Sequence, residues 1–330
     1  MTVAVVILNW NGISLLEQFL PTIIAHSPQA TIYVADNAST DASVSFVQAN
    51  FPSVQIIQNK ANYGFAGGYN EALKKVTADI FVLVNSDVEV TPNWLEPMIS
   101  TFENEPKTAI LQPKILDFKN KAYFEYAGAA GGYIDKYGFP FCRGRIFDTI
   151  EKDLGQYDDV AEIFWASGAC FFIRSEVYTT LAGFDASFFA HQEEIDLCWR
   201  AINKGYTIKY NPKSVVYHVG GATLQQGNPK KTELNFRNSL FMLTKNLPKK
   251  VLYSRLFVRM LLDGIAGLQF LAKGKPKHFF SVLKAHVAFY QYFSKCFGKR
   301  GAVQKEAYYK VKSVVFSYFI KNGTIFEKLV

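Results

Sequence analysis

The chain has 330 residues, with 36 Lys/Arg against 28 Asp/Glu and a net charge of +8, long enough to bury a full core in one large domain or two. Its four cysteines, Cys142, Cys170, Cys198 and Cys296, lie far apart with no C-x-x-C pair, which argues against a zinc site or a disulfide framework and fits a reducing, cytoplasmic setting. The charge is uneven: from Lys245 onward 17 Lys/Arg face 3 Asp/Glu, so an acidic body precedes a basic, aromatic tail.

No signal peptide is visible, because the chain opens at once on a strand-like run, residues 3–8. No stretch reaches the ~18 uninterrupted apolar residues of a spanning helix. The nearest, residues 256–272, is broken by Arg259, Asp263 and Gln269.

In chain order, β-branched runs at residues 3–8, 31–35, 54–58 and 80–84 alternate with helical patterns at 14–26, 41–50 and 66–76. This alternation predicts an α/β fold, a parallel sheet with helices on both faces, whose ligands bind beyond the carboxyl ends of the strands. Those ends carry Asn9-Trp10-Asn11, Asp36-Asn37, Asn59 and Asn85-Ser86-Asp87, all polar. Residues 105–165, with glycines among Tyr and Phe, suggest a hairpin and a mobile segment. Residues 163–173 read as a strand broken at Ser167-Gly168, residues 175–181 and 193–204 as helices, and 207–210 and 215–218 as two short strands. From Thr232 helix dominates, with breaks at Pro248, at 274–276 and at 298–301. The composition shift near residue 245 divides a body, 1–244, from a helical tail, 245–330; within the body, 1–115 would hold the ligand's nucleotide half and 116–244 the other.

Three clusters can carry chemistry. Asp87 and Glu89 leave a strand one residue apart, which suits a hard cation such as Mg²⁺ or Mn²⁺, although Asn, Ser and Asp are equally turn formers. His218 follows a strand; alone it reads as a structural donor, and beside a carboxylate site as a metal ligand. Glu193, Glu194 and Asp196 place three carboxylates within four residues. On a helix Asp196 and Arg200 pair along one face, while one Glu points into a cleft as general base. The alternative is an acidic first turn favouring the helix dipole. Residues 62–70, Gly-rich and opening a helix, allow close approach of a phosphate, but lack both G-x-G-x-x-G spacing and a Walker lysine.

In the tail, residues 251–272 are apolar around most of a helix, leaving Arg255, Arg259 and Asp263 as a polar stripe. Residues 278–293 and 308–320 are aromatic-rich among lysines. Nucleic acid would satisfy the charge alone, whereas an anionic membrane surface also accounts for the apolar residues, so no nucleic-acid partner is expected. A helical subdomain packed on the body, or a homodimer interface, is the other reading.

In this order, the segments 5–11, 36–41, 62–70, Asn85-Ser86-Asp87, Gly183-Phe184-Asp185, residues 193–197 with Arg200, and His218 resemble the family-2 glycosyltransferases of GT-A fold. Within that family the likeness is strongest to rhamnosyltransferase-type enzymes of bacterial surface polysaccharide assembly. The resemblance implies a nucleotide-diphosphate sugar donor, with dTDP-rhamnose the first choice, and a glycan or polyprenyl-diphosphate-linked acceptor at the inner face of the cell membrane. It implies that Asp36, Asn9 and Asn11 line the base pocket, that Asn62 and Gly64 approach the nucleotide, and that Asn85 sits near the ribose. Asp87 would hold the metal, with Glu89 and His218 as further ligands. Glu194 stands where the family usually has Asp as the base, a departure that lengthens the side chain by one methylene. Trp165, Gly168, Ala169 and Glu193 would face the acceptor, and Asp196 and Arg200 would support the base. The implied chemistry is a single inverting displacement. The rivals are a sugar nucleotidyltransferase, which would show basic and Gly-rich residues where this chain has Asn9-Trp10-Asn11-Gly12, and a non-catalytic membrane-associated scaffold.

Overall fold

The computed structural model describes residues 1–220 and 227–330. The first half alternates β1 (Val3–Asn9), α1 (Ile13–Ala25), β2 (Thr31–Asp36), α2 (Ser43–Asn50), β3 (Gln55–Gln58), α3 (Gly64–Leu73), β4 (Ile80–Asn85), β5 (Val88–Val90) and α4 (Glu96–Asn104). Strands β1 and β4 are apolar up to their terminal asparagines because both faces are covered. Alternation sorts their side chains: Ala4, Val6, Phe81 and Leu83 enter one core, and Val3, Val5, Ile7, Val82 and Val84 the other.

The chain continues through β6 (Thr108–Asp117), β7 (Gly132–Ile134), β8 (Pro140–Cys142), β9 (Arg145–Ile146), β10 (Thr149–Ile150), β11 (Ala161–Glu162), β12 (Cys170–Arg174), α5 (Ser175–Thr180), α6 (Glu193–Asn203) and β13 (Thr207–His218). The main sheet runs β3-β2-β1-β4-β12-β6-β13-β11, with β5 added on β13. Its long pairings are mostly parallel, but β12 runs antiparallel to both β4 and β6, and the short β5 and β11 run antiparallel to β13. Strands β7 to β10 form a small second sheet.

The strand expected over 163–173 is β12 alone. The two strands expected over 207–218 are one, with a register shift between Asn211 and Val215 around Pro212. Strand β6 escaped the pattern because Pro113 and Lys114 interrupt its apolar run. Lys114 is nonetheless buried, its ammonium bound by Asp153 at 2.8 Å and by Asp158.

Chain order reverses between β1 and β4: β2 and β3 extend the sheet on one side of β1, and β4 returns on the other. That reversal opens a crevice beyond their carboxyl ends, and the register sets Asn9 beside Asp36 and Leu8 beside Asn85.

Helices α7 (Pro229–Asn246), α8 (Lys249–Ala272) and α9 (Pro276–Gly298) follow, with α7 packed on α6, α8 and α9. Helix α7 runs through the composition shift at Lys245. Of the aromatic-rich segment 308–320, only α10 (Val314–Phe319) is helical. Its upstream residues return to the body, where Lys310 N donates to Ile134 O and Tyr308 Oη to Lys136 O. Phe326 then covers Tyr133 and Phe141 of the small sheet. The four cysteines are free and buried. Among the described residues no helix is long and apolar enough to cross a membrane.

Candidate active site

At the crevice, Asn9 Nδ2 donates to Asp36 Oδ1 and Ser39 Oγ, both at 3.2 Å, and Asp36 Oδ2 accepts from Ser39 N. Asn11, at φ 49°, accepts from Thr40 N at 2.7 Å through its side chain. Buried Asn9 Oδ1 has no hydrogen-bond partner, so this wall keeps an acceptor in reserve. Asn37 ties the next loop in, donating to Asn62 Oδ1 and Gly64 O. Gly64 is required by geometry: its φ is +71°, and a Cβ there would lie 2.6 Å from the Phe189 ring and carbonyl. Phe189 O in turn accepts from Phe65 N at 2.8 Å, joining this loop to the segment that precedes α6.

Asn85 ends β4, Asp87 lies in the turn to β5, and His218 ends β13 opposite Val88. His218 Nε2 is 3.2 Å from Asp87 Oδ1 and 3.5 Å from Asn85 Nδ2. On its other side Nδ1 is 3.3 Å from Glu125 Oε1, without hydrogen-bond alignment. Burial opposes charge on His218, but Glu125 and Asp87 outweigh it and hold the imidazole pKa up to about 10. Burial likewise acts to raise Asp87, yet His218 leaves it below the usual range. Glu89, expected beside them, pairs instead with Lys121. Glu125, the second carboxylate on His218, was missed by sequence reasoning. It is placed by the bonding of its N–H to Ile115 O beside β6, and no spacing in the sequence announces it.

The carboxylate oxygens and imidazole nitrogen here are donors that suit Mg²⁺ or Mn²⁺. They neutralise one another, and among the described residues no group of three or more His, Cys, Asp and Glu is placed to hold a metal ion. A cation held against a diphosphate, however, needs only one or two protein ligands, with phosphate oxygens and water completing the shell. Asp87 and His218 meet that lower requirement once His218 releases its proton.

The third cluster is built on strain. Phe189, His191 and Gln192 all have positive φ, at 64°, 72° and 73°, a conformation costing roughly 1–3 kcal/mol per non-glycine residue. They lead into α6, whose N-cap Gln192 makes no side-chain cap bond. His191 Nε2, Gln192 Oε1, Glu193 Oε2 and Glu194 Oε2 are all buried without partners. Burial pushes both Glu carboxyls up, Glu193 well above its ordinary value with Glu194 adding to the effect. Such groups are expensive to leave unpaired in a core, and they cluster where a ligand would satisfy them.

Asp196, one turn into the helix, is anchored. Arg200 Nε and Lys245 Nζ both reach its Oδ2, at 2.8 and 2.7 Å, and Asn246 Nδ2 reaches Oδ1 at 2.8 Å. Lys245 also binds Asp185 Oδ2 at 2.7 Å. Of the remaining expected residues, Trp165 is buried with its indole N–H on Tyr133 O at 2.9 Å. Gly168 lies against the Phe65 ring, and Ala169 O accepts from Asn85 N at 3.0 Å.

The chain belongs to Glycosyl transferase family 2, whose family model matches residues 4–179; it is a glycosyltransferase. It is similar to N-acetylglucosaminyl-diphospho-decaprenol L-rhamnosyltransferase of Mycobacterium tuberculosis, 23% identical over 218 residues, 62% of this chain and 71% of that one. It is also similar to the pre-mycofactocin glycosyltransferase of the same organism, 24% identical over 50% of this chain and 32% of the relative. Among solved structures it resembles GalNAc-T7 with UDP, GalNAc and Mn²⁺, at a TM-score of 0.62 and 14% identity, covering 98% of this chain and 57% of that one. The mannosyltransferase PcManGT of Pyrobaculum calidifontis, with GDP-Man and Mn²⁺, gives a TM-score of 0.54 at 15% identity, over 87% and 86% of the two chains. At these identities the structural likeness shows the fold, GT-A with a helical C-terminal region.

Proposed function

We propose that the protein is an inverting, metal-dependent hexosyltransferase. It would move a sugar, with rhamnose from dTDP-rhamnose the first choice, from a nucleotide diphosphate to a glycan on a polyprenyl-diphosphate carrier in surface polysaccharide synthesis. The observation that carries the reading is Glu194: a half-buried residue whose carboxylate has one buried, unpaired oxygen, at the head of a helix fixed by Asp196, behind a strained turn bonded to the Gly64 loop. The rhamnosyl name of the curated relative supports the sugar and the lipid-linked acceptor; the Mn²⁺ in the structural neighbours supports the metal.

In this mechanism Asn9, Asn11 and Asp36 bind the base, Asn62 and Gly64 lie along the nucleotide, and Asn85 lies by the ribose. Asp87 and His218 would hold a divalent ion, which when bound offsets charge on the leaving diphosphate. Glu194 takes the proton from the acceptor hydroxyl as that oxygen attacks the anomeric carbon from the face opposite the leaving group. Glu193, Trp165, Gly168 and Ala169 border the acceptor side.

General-base help is worth ~10²–10⁴ in rate. Glu194→Gln, with the donor sugar's turnover measured alongside donor binding by calorimetry, should lose at least the lower figure while binding donor as before. Near-normal turnover would move the base elsewhere, and failure of the wild-type chain to transfer sugar from any nucleotide donor would overturn the reading.

A further inference from the structure

The helical hairpin formed by α8 and α9 combines a buried pair of charges with an exposed apolar face. A helix packed on a water-soluble body turns its apolar stripe inward and its charges outward. Here Arg259 and Asp263 are buried, paired at 2.8 Å, with the guanidinium 3.9 Å from the centre of the Phe139 ring. His286 of α9 reaches the same Asp263 at 3.4 Å. Two members of the polar stripe expected from the sequence, Arg259 and Asp263, therefore form an internal seam.

The outward face is apolar instead. Tyr253, Phe257, Leu261, Ile265 and Leu268 follow one another along α8 at steps of four, four, four and three, so they line one side. Each is more than half exposed, Phe257 at 61% and Ile265 at 62%. On α9, Leu283 and Val287 flank His286 and are likewise exposed. Since His286 meets Asp263, and Gly267 lies against Phe279 and Val282, the two exposed stripes run side by side along the hairpin. Contiguous apolar surface of this kind is rare on a soluble monomer without a partner.

Charge decides the partner. Across residues 249–298 the sequence has nine Lys/Arg and one acid, the buried and paired Asp263. A twofold dimer through this face would set each basic rim against its own copy. An anionic bilayer instead offers acyl chains to the stripe and phosphates to the rim. The lysines are densest at the hairpin tip, where Lys273, Lys275 and Lys277 are all exposed. The tip is fastened to α7 by Thr232 Oγ1 and His278 Nδ1, 2.8 Å apart, and the same helix reaches the strained turn before Glu194 through Asn238 Nδ2, 2.7 Å from His191 O.

We infer that the outer face of the α8–α9 hairpin is a monotopic docking surface for an anionic phospholipid leaflet. The stripe lies in the interface, and Lys273, Lys275 and Lys277 engage lipid phosphates. This rests on the hairpin alone; only its value for delivering a lipid-linked acceptor depends on the transfer reading.

The test is co-flotation of the full chain with phosphatidylcholine vesicles, with and without phosphatidylglycerol. The wild-type chain should float with the anionic vesicles and be released by salt. Phe257→Ser/Leu261→Ser/Ile265→Ser, all at exposed positions, should keep the circular dichroism spectrum and melting temperature and lose at least about tenfold in vesicle binding. Lys273→Gln/Lys275→Gln/Lys277→Gln should bind both vesicle types alike. Absence of wild-type binding to anionic vesicles overturns the inference, as does undiminished binding by the serine variant. So does a wild-type dimer in sedimentation that the serine variant abolishes, which would assign the face to a second copy. Each is read without a sugar donor, so failure here leaves the transfer reading untouched, and failure of transfer leaves this one.

Discussion

The side-chain amide of Asn238, fully buried on α7, donates to the carbonyl of His191 at 2.7 Å. It also reaches Phe188 O and Ala190 O, at 3.0 and 2.9 Å, so one residue clamps the turn that aims Glu194. Helix α7, outside the segment that matches the family model, thus sets the geometry of the proposed base.

Asn238→Ala should therefore act on the site as well as on the fold. Phe188 O keeps Ala190 N and Arg237 as donors, but the part-buried carbonyls of Ala190 and His191 lose the Asn238 amide, at a cost of about 1–3 kcal/mol, visible as a lower urea midpoint. The strained residues 189–192 lose their clamp, so kcat should fall roughly tenfold or more while donor binding, made at the far wall, changes little. A variant destabilised as expected but with wild-type kcat would make the clamp purely structural.

For the proposed metal pair, the expectation is selective loss. Asp87→Ala should abolish the part of donor affinity that depends on Mn²⁺ and leave the part supplied by Asn9, Asn11 and Asp36. Calorimetry with dTDP-rhamnose, UDP-glucose, UDP-galactose and GDP-mannose, each with Mn²⁺ or with chelator, reads this directly and picks the donor. Donor binding equally strong in chelator would remove the metal from the mechanism.

The pH dependence follows from burial. Burial raises the Glu194 carboxyl, with the backbone N–H groups at Glu194 and Gln192 opposing the shift. A base works only as carboxylate, so kcat should climb with pH on a limb displaced above the ordinary glutamate value of about 4.3. Residual turnover in Glu194→Gln should lack the limb. The same shift has the opposite sign for stability. Between the unfolded and the raised folded values the native chain holds more protons, so these glutamates withdraw stability as pH rises through that window. Urea midpoints of Glu194→Gln should then fall less with rising pH than those of the wild-type chain; parallel curves would mean no raised carboxyl.

The N-terminal strands and helices were legible because each is a local pattern: β-branched runs such as residues 80–84, ended by polar residues, alternating with helical periodicity. The polar strand ends Asn9, Asp36, Asn85 and Asp87 were legible for the same reason. Strand β6 was not, because Lys114 reads as a surface charge until Asp153 and Asp158 are seen to bind its ammonium.

By itself the sequence determined the alternation of elements, the residues at the sheet's carboxyl edge and the family. These depend on neighbours within a few positions, where period and turn chemistry act. Only the tertiary structure decided that Glu125 rather than Glu89 faces His218, that Asn238 and Lys245 govern α6, and that α8 turns Arg259 and Asp263 inward. Those are pairings between residues tens of positions apart. A buried charge is permitted only by the partner that the fold brings to it, and no local pattern records which partner that will be.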